Sequence, residues 1–268
     1  MKPGFYTIMA AQFLSSLADN ALLIAAIALL REAQSADWLI PFLKLVFVVS
    51  YVMLAPFPKG RVMFLTNAIK LVGCILLLGM LPPLMAYALV GFGAAAYSPA
   101  KYGILTELLP PDKLVAANGW IEGTTVASII LGTVLGGVLI SPHVAPWLLS
   151  FDLPFIDTHI DTPAEAAVVV TIGIYALAAL FNLRIPDTGA RYPGRTSNPF
   201  TLLRIFWHCN LTLWRDPLGQ IALAVTTLFW GAGASLQFLV LKWAEHQLNM
   251  RLDQATRLQG VVALGVAL

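Results

Sequence analysis

Charged side chains are scarce in this 268-residue chain, in which aspartate, glutamate, lysine and arginine together make up 11%. Soluble domains carry about 25% charged residues, so the composition excludes an ordinary soluble globular protein. The formal net charge is only +2 and no basic run is interleaved with aromatic residues, so nucleic acid is not expected as a partner. The two cysteines, Cys74 and Cys209, show neither metal-ligand spacing nor a disulfide framework.

The sequence motifs of common enzyme classes are absent as well. There is no glycine-rich phosphate loop, no nucleophile elbow and no histidine pair on one helical face. Asp157, His159 and Asp161 alternate in a way that could bind a metal ion, but no second ligand cluster accompanies them. We therefore interpret this segment as an acidic external loop, and we expect no enzyme activity, no cofactor and no metal site.

Apolar residues dominate the chain instead. They make up 59% of it, and the mean hydropathy is +0.80. A helix needs about 20 apolar residues to cross a hydrocarbon core. The apolar runs that predict such helices are residues 5–30, 39–57, 62–81, 84–103, 114–140, 164–183, 217–242 and 259–268, of which the last is cut short. The sequence thus predicts an all-α, multi-pass membrane protein.

The spacing of these runs predicts three parts. Residues 1–183 form a six-helix bundle, residues 184–216 form a polar cytoplasmic connector, and residues 217–268 begin a second bundle with helix seven and part of helix eight. Gly132 and Gly136, four residues apart, predict close helix packing in the fifth run. Because the pattern stops within the eighth run, we expect these residues to belong to a longer protein.

The connector contains a segment with helical periodicity. Phe200, Leu203, Trp207, Leu211 and Trp214 share one face, and a neighbouring arc carries Arg204, His208, Thr212 and Arg215. Ser197 or Asn198 could cap this helix, and Pro199 suits its first turn. We expect an amphipathic helix lying in the inner membrane surface; a solvated linker is the alternative.

The distribution of lysine and arginine between loops predicts the orientation of the chain. One side holds Arg31, Arg251 and Arg257. The side that includes the N-terminus holds Lys2, Lys59, Arg61, Lys113, Arg184, Arg191, Arg195, Arg204 and Arg215. The N-terminus is therefore expected in the cytoplasm.

One polar stripe interrupts the first apolar run. Gln12, Ser15, Ser16 and Asp19 step by three and four residues, so they share one helical face. Asp19 lies about 21 Å along the helix from Phe5, deep in the hydrocarbon layer. A carboxylate at that depth costs several kcal/mol unless it faces water or a partner. We expect Asp19 to face a polar cavity; the alternative is a carboxylate that only holds helices together.

Several segments together resemble the bacterial lysophospholipid transporters of the major facilitator superfamily. The most specific is the fourth-helix run GFGAAAYSPAKYGIL at residues 91–105. The others are AQFLS at 11–15, DNALL at 19–23, KLV at 113–115, ANG at 117–119 and LFWGAG at 228–233. The likeness extends over essentially the whole chain, which would cover about the first two thirds of a family member.

The resemblance implies a fold and a function. The family fold has twelve helices in two bundles around a central cavity. Its members carry lysophospholipids, chiefly lysophosphatidylethanolamine, to the cytoplasmic leaflet of the bacterial inner membrane, where an acyltransferase remakes the diacyl lipid. The lysophospholipid, the lipid bilayer and such an acyltransferase are therefore the expected partners.

The candidate binding residues suit a zwitterionic headgroup, which needs one cation and one anion in a low-dielectric cavity. We expect Asp19 to pair with the ammonium and Lys101 with the phosphate, with Gln12 beside them. Lys70 could also hold the phosphate, or it could form a structural ion pair with Glu122. On the seventh helix, Thr226, Trp230, Gly233 and Gln237 share a face that could line the opposite wall or simply pack between helices.

Two other functions remain open at this stage. A proton-coupled permease for a small polar solute could use the same fold with Asp19 as the proton site. A membrane scaffold that does not transport could dock a cytoplasmic acyltransferase through residues 184–216. Basic residues near the ends of helices, such as Lys101 beside Glu107, could also extend to lipid phosphates without binding substrate.

Overall fold

The computed structural model describes residues 3–36, 38–40, 43, 59–79, 81–150, 160–186, 188 and 199–267. Every regular element within those residues is a helix. In chain order they are α1 (Pro3–Glu32), α2 (Lys59–Leu77), α3 (Pro83–Leu108), α4 (Pro111–Leu139), α5 (Ala145–Leu149), α6 (Pro163–Leu183), α7 (Pro199–Arg215), α8 (Pro217–Leu248) and α9 (Leu252–Ala267).

Five of these helices, α1, α2, α4, α6 and α8, are long and apolar enough to cross a membrane. The protein is therefore a multi-pass membrane protein, as predicted. Helix α3 corresponds to the predicted fourth run and has 26 residues, but it is not among these five. The predicted second run, residues 39–57, lies almost entirely outside the described residues.

Several helices extend beyond the apolar runs that predicted them. Helix α2 already includes Lys59, three residues before the predicted run, and α9 begins at Leu252 rather than at residue 259. Helix α8 continues past Lys242 to Leu248 and ends at Asn249, whose φ of 50° is left-handed. Hydropathy marks only the apolar middle of a helix, because its ends leave the hydrocarbon layer and carry polar residues.

Helix α1 lies at the centre of the first bundle, packed against α4 and α6 and also touching α3, while α2 packs against α3 and α6. Two glycines of α4 make the contact with α1 close. A Cβ atom on Gly132 would lie 2.4 Å from the Leu17 carbonyl oxygen, and one on Gly136 would lie 2.7 Å from the Ala21 carbonyl oxygen. The predicted packing role of this glycine pair is thus confirmed.

The second part of the chain meets the first bundle at the end where α1 finishes. The Arg31 guanidinium binds both carboxylate oxygens of Glu245 on α8. Helix α9 packs on α4, where Gly137 leaves room for Thr256. Apart from Gly219, the buried residues of α8 are Gln237, Leu241 and Ala244, all in its second half. The two parts therefore diverge towards the opposite end of the bundle, which holds Lys59 and Ile185.

Candidate functional site

The polar stripe of α1 faces inward, towards three other helices of the first bundle. Gln12 and Ser15 are buried, and the Asp19 side chain is 17% exposed. Ser15 donates a hydrogen bond to the Asn67 Oδ1 on α2, at 2.8 Å. Gln12 instead reaches α4. The stripe therefore separates into a deep group around Asp19 and a second group around Gln12.

An ion pair between Asp19 and Lys70 forms the centre of the deep group. The Lys70 Nζ lies 2.8 Å from Asp19 Oδ1 and 2.9 Å from its Oδ2, and it donates to the Ser15 Oγ at 2.9 Å. Tyr175 on α6 donates to Asp19 Oδ1 at 2.7 Å. The Lys70 side chain is only 1% exposed, so the pair is enclosed by protein.

Aromatic and small residues complete the surroundings of Lys70. Its Nζ lies 5.2 Å from the centre of the Tyr97 ring and 5.4 Å from that of the Tyr175 ring. Both positions are suited to a cation–π interaction. A Cβ atom on Gly93 would lie 2.7 Å from the Lys70 Cγ, so the absence of a side chain there makes room for the lysine stem.

The alternative pairing of Lys70 with Glu122 is wrong. Lys70 points to α1, and Glu122 on α4 instead accepts a hydrogen bond from the Tyr102 hydroxyl. The sequence gives the depth of each residue but not the rotation of its helix. Similar depth was the only basis for that pairing.

A second polar group lies between α1, α3 and α4. Gln12 Nε2 donates to the Thr125 Oγ1 at 2.5 Å, and Thr124 donates to the Gln12 Oε1 at 3.2 Å. The Lys101 Nζ lies 3.4 Å from the same Thr125 Oγ1 and 4.6 Å from the centre of the Tyr102 ring. Gln12, Lys101 and Glu122, which the sequence singled out, are thus brought near one another through Thr125 and Tyr102.

The charge of Lys101 differs from that of Lys70 in having no carboxylate of the described chain in direct contact, although Glu122 attracts it from a longer distance. Its residue is 7% exposed, yet no carboxylate among the described residues forms an ion pair with it. A neutral hydroxyl and a ring face neutralise a cation much less than a carboxylate does. A buried ammonium of this kind is a suitable partner for an anion.

Two of the α8 residues that the sequence singled out differ in exposure. Trp230 is 43% exposed and makes an edge-to-face contact with Phe229, with ring centres 5.9 Å apart. Gln237 is buried about two turns further along the helix. Their assignment to the wall of the site stays a prediction.

The site residues to which the sequence assigned no role include Asn67, Tyr97, Tyr175, Thr124, Thr125 and Tyr102. Asn67 precedes Lys70 by one helical turn and could have been found as a second polar residue on that face. Tyr175 stands in an apolar run without any local signal. Among the described residues, no group of three or more histidine, cysteine or acidic side chains could hold a metal ion. Asp157 and His159 lie outside those residues.

Comparison with known proteins adds evidence independent of this geometry. The chain is 39% identical over 271 residues to the lysophospholipid transporter LplT of Serratia proteamaculans and 42% identical over 273 residues to that of Citrobacter koseri. It is 40% identical over 273 residues to that of Yersinia enterocolitica. The resemblance to lysophospholipid transporters is confirmed. No protein-family model matches the chain.

The extent of these matches is uneven. The alignments cover 97–98% of this chain but 62–63% of each relative. The chain therefore spans somewhat less than two thirds of the length of the curated relatives that it matches.

Solved structures with the same fold are those of a bacterial homologue of the human lysosomal transporter Spinster. The unoccupied, inward-facing form has a TM-score of 0.64 at 18% identity and covers 97% of this chain and 59% of that one. The occupied, inward-facing form has a TM-score of 0.61 at 17% identity and covers 98% and 59%. The expected all-α fold of the major facilitator type is confirmed.

Proposed function

We propose that this protein transports lysophospholipids of the lysophosphatidylethanolamine type across the bacterial inner membrane to the cytoplasmic leaflet, where they are reacylated. The observation that carries the proposal is the buried Lys101 ammonium, which no carboxylate of the described residues contacts directly and which lies within electrostatic reach of the compensated Asp19–Lys70 pair. The site can therefore accept an anion next to a carboxylate, as a zwitterionic headgroup requires. The similarity to named lysophospholipid transporters supports the same substrate class.

In this proposal Lys101 binds the substrate phosphate. Thr125, Thr124 and Gln12 already bond to one another beside it, and they can rearrange to donate to phosphate oxygens. Such charge-assisted hydrogen bonds are stronger than the neutral ones that they replace. Lys101 is thus the main determinant of affinity for the phosphate.

Asp19 is the proposed partner of the substrate ammonium. Oδ1 already accepts from Lys70 and Tyr175, whereas within the described part of the chain Oδ2 accepts from Lys70 alone, and the side chain is partly exposed. Gln12 and Asp19 are seven residues apart, about 10 Å along α1. An extended ethanolamine headgroup with hydrogen bonds at both ends has a comparable length. Lys70 then balances the charge of Asp19 when substrate is absent, and Glu122 provides a second carboxylate.

The orientation and domain division form part of the same proposal. The end of the bundle that holds Lys59 and α7 faces the cytoplasm, because most arginine and lysine residues of the loops lie at that end. Residues 1–183 form the first bundle, residues 184–216 the connector, and residues 217–268 the start of a second bundle.

Trp230 and Gln237 line the wall opposite Lys101. A cytoplasmic acyltransferase is the proposed partner, because the delivered lysolipid must be reacylated.

Leaflet-resolved transport tests the function. Fluorescent lysophosphatidylethanolamine is added to the outer surface of inverted or right-side-out vesicles containing the protein, and albumin extracts whatever remains in the outer leaflet. The protected fraction should rise only when the added lipid meets the periplasmic face of the protein. Equal protection in vesicles without the protein would contradict the proposal. If the protein instead took up a small polar solute, and this uptake were lost when the proton gradient collapsed, the permease would be favoured.

A further inference from the structure

Helix α7 has an unusually sharp division between polar and apolar faces. At 100° per residue, its cationic and hydroxyl residues fall within an arc of about 80°. These residues are Thr201, Arg204, His208, Thr212 and Arg215. Apart from Asn210, every other position in the helix is apolar, proline or cysteine.

The apolar face of α7 is exposed within the described chain. Trp207 is 66% exposed and Trp214 is 53% exposed, and Ile205 and Leu213 are exposed too. Among the described helices, α8 is the one against which α7 makes more than a few contacts. A wide, uncovered apolar face next to a narrow basic arc is the pattern of a helix that lies in the interface of a bilayer.

The connection to α8 fixes where α7 sits relative to the membrane. Asp216 Oδ2 accepts from the Gly219 backbone N–H at 2.8 Å, and Gln220 Nε2 donates to the Trp214 carbonyl at 2.6 Å. A Cβ atom on Gly219 would lie 2.3 Å from the Leu213 carbonyl oxygen, so the two helices meet at a tight corner. Because α8 can cross the membrane and α7 joins its N-terminal end, α7 lies at the level of the lipid headgroups.

We propose that α7 is a lipid-binding element that inserts its tryptophan-rich face into the membrane and binds anionic phospholipid headgroups through Arg204 and Arg215. Tryptophan prefers the headgroup region, so Trp207 and Trp214 favour this depth. The two arginines flank His208 on the arc that faces the headgroups. The occupant of this face is thus an anionic lipid surface, and this inference does not depend on the identity of the transported molecule.

The chain offers a natural position for a test. Cys209 lies on the apolar side of α7 and is exposed, whereas Cys74 is buried. In a Cys74→Ala background, a nitroxide label on Cys209 should report the apolar face. The matched control carries Cys209→Ser and His208→Cys, which moves the label by about 100° around the helix to the basic arc. Both proteins are reconstituted into vesicles of phosphatidylcholine with or without phosphatidylglycerol.

In anionic vesicles, the label at position 209 should be relaxed more by lipid-soluble oxygen than by a water-soluble nickel chelate, and the label at position 208 should show the reverse. Without phosphatidylglycerol, this contrast should shrink. Each of Arg204→Gln and Arg215→Gln should shift the contrast in anionic vesicles towards the value measured without phosphatidylglycerol, because each removes one cation that binds the anionic lipid. Circular dichroism of each variant checks that it remains folded.

Three results would overturn the proposal. Equal exposure of both positions to the nickel chelate would show that α7 is a solvated linker. Protection of position 209 from both reagents would show that protein covers this face. The same contrast with and without phosphatidylglycerol would show that the arginines do not bind anionic lipid.

Discussion

The Asp19–Lys70 pair allows a double-mutant test that separates a structural carboxylate from a substrate-binding one. Asp19→Asn removes the charge but keeps the size and hydrogen-bonding capacity of the side chain. It leaves the Lys70 ammonium, 1% exposed, with the amide oxygen, one hydroxyl and two tyrosine rings as partners but with no counter-ion. Removing one partner of a buried ion pair costs about 3–5 kcal/mol, and the ring contacts favour the lower end of that range.

The expected loss of about 3 kcal/mol corresponds to a fall of roughly 6–12 °C in unfolding temperature. Lys70→Met should cost a similar amount, because it leaves the Asp19 carboxylate with Tyr175 and no cation. The double variant should recover most of the loss, since neither charge is then left unpaired. Thermal unfolding in one detergent measures all four proteins. Asp161→Asn, at an exposed position, is the control and should change the unfolding temperature little.

Transport by the double variant then assigns the role of Asp19. If the carboxylate binds the substrate ammonium, the double variant should be stable but should transport lysophosphatidylethanolamine poorly. Recovery of both stability and transport would show that the pair only holds α1 and α2 together. If the double variant lost as much stability as the two single variants together, the ion pair itself would be refuted.

Three further outcomes follow from contacts between helices. Glu245→Arg should raise hydrogen exchange in the last turns of α8, because it removes the partner of Arg31. The double variant Arg31→Glu/Glu245→Arg restores an ion pair of reversed polarity and should lower hydrogen exchange again. Gly136→Ala should destabilise the protein by about 1–3 kcal/mol, because the new methyl would lie 2.7 Å from the Ala21 carbonyl oxygen. Thr162→Ala should cost about 1 kcal/mol through loss of the α6 capping box. Unchanged hydrogen exchange or unfolding temperature in these variants would contradict the corresponding contacts.

The sequence predicted those features that depend on local pattern. Apolar runs predicted the described membrane helices, and the spacing of Gly132 and Gly136 predicted close packing without naming α1 as the partner. The stripe from Gln12 to Asp19 predicted an inward polar face. Helical periodicity predicted α7, which runs from Pro199 to Arg215.

The features that the sequence could not predict depend on how helices rotate against one another. Depth suggested Glu122 as a partner of Lys70, whereas the packing of the helices brings Lys70 to Asp19 instead. Tyr175 belongs to a run of apolar residues and becomes polar in function only because α6 faces α1. Lys59 on α2 likewise finds its partners far along the chain: its ammonium pairs with Glu107 at 2.6 Å and donates to the Gly103 carbonyl.

The most direct test of the central claim is the transport of lysophosphatidylethanolamine by Lys101→Gln. Loss of a charge-assisted contact with the phosphate should lower apparent affinity by about tenfold or more. The unfolding temperature should not fall, because the variant removes a buried charge that no carboxylate of the described residues contacts directly. Lys113→Gln, which removes an exposed lysine on the first turn of α4, should transport normally. Normal transport by Lys101→Gln, or equal losses in both variants, would contradict a phosphate site at Lys101.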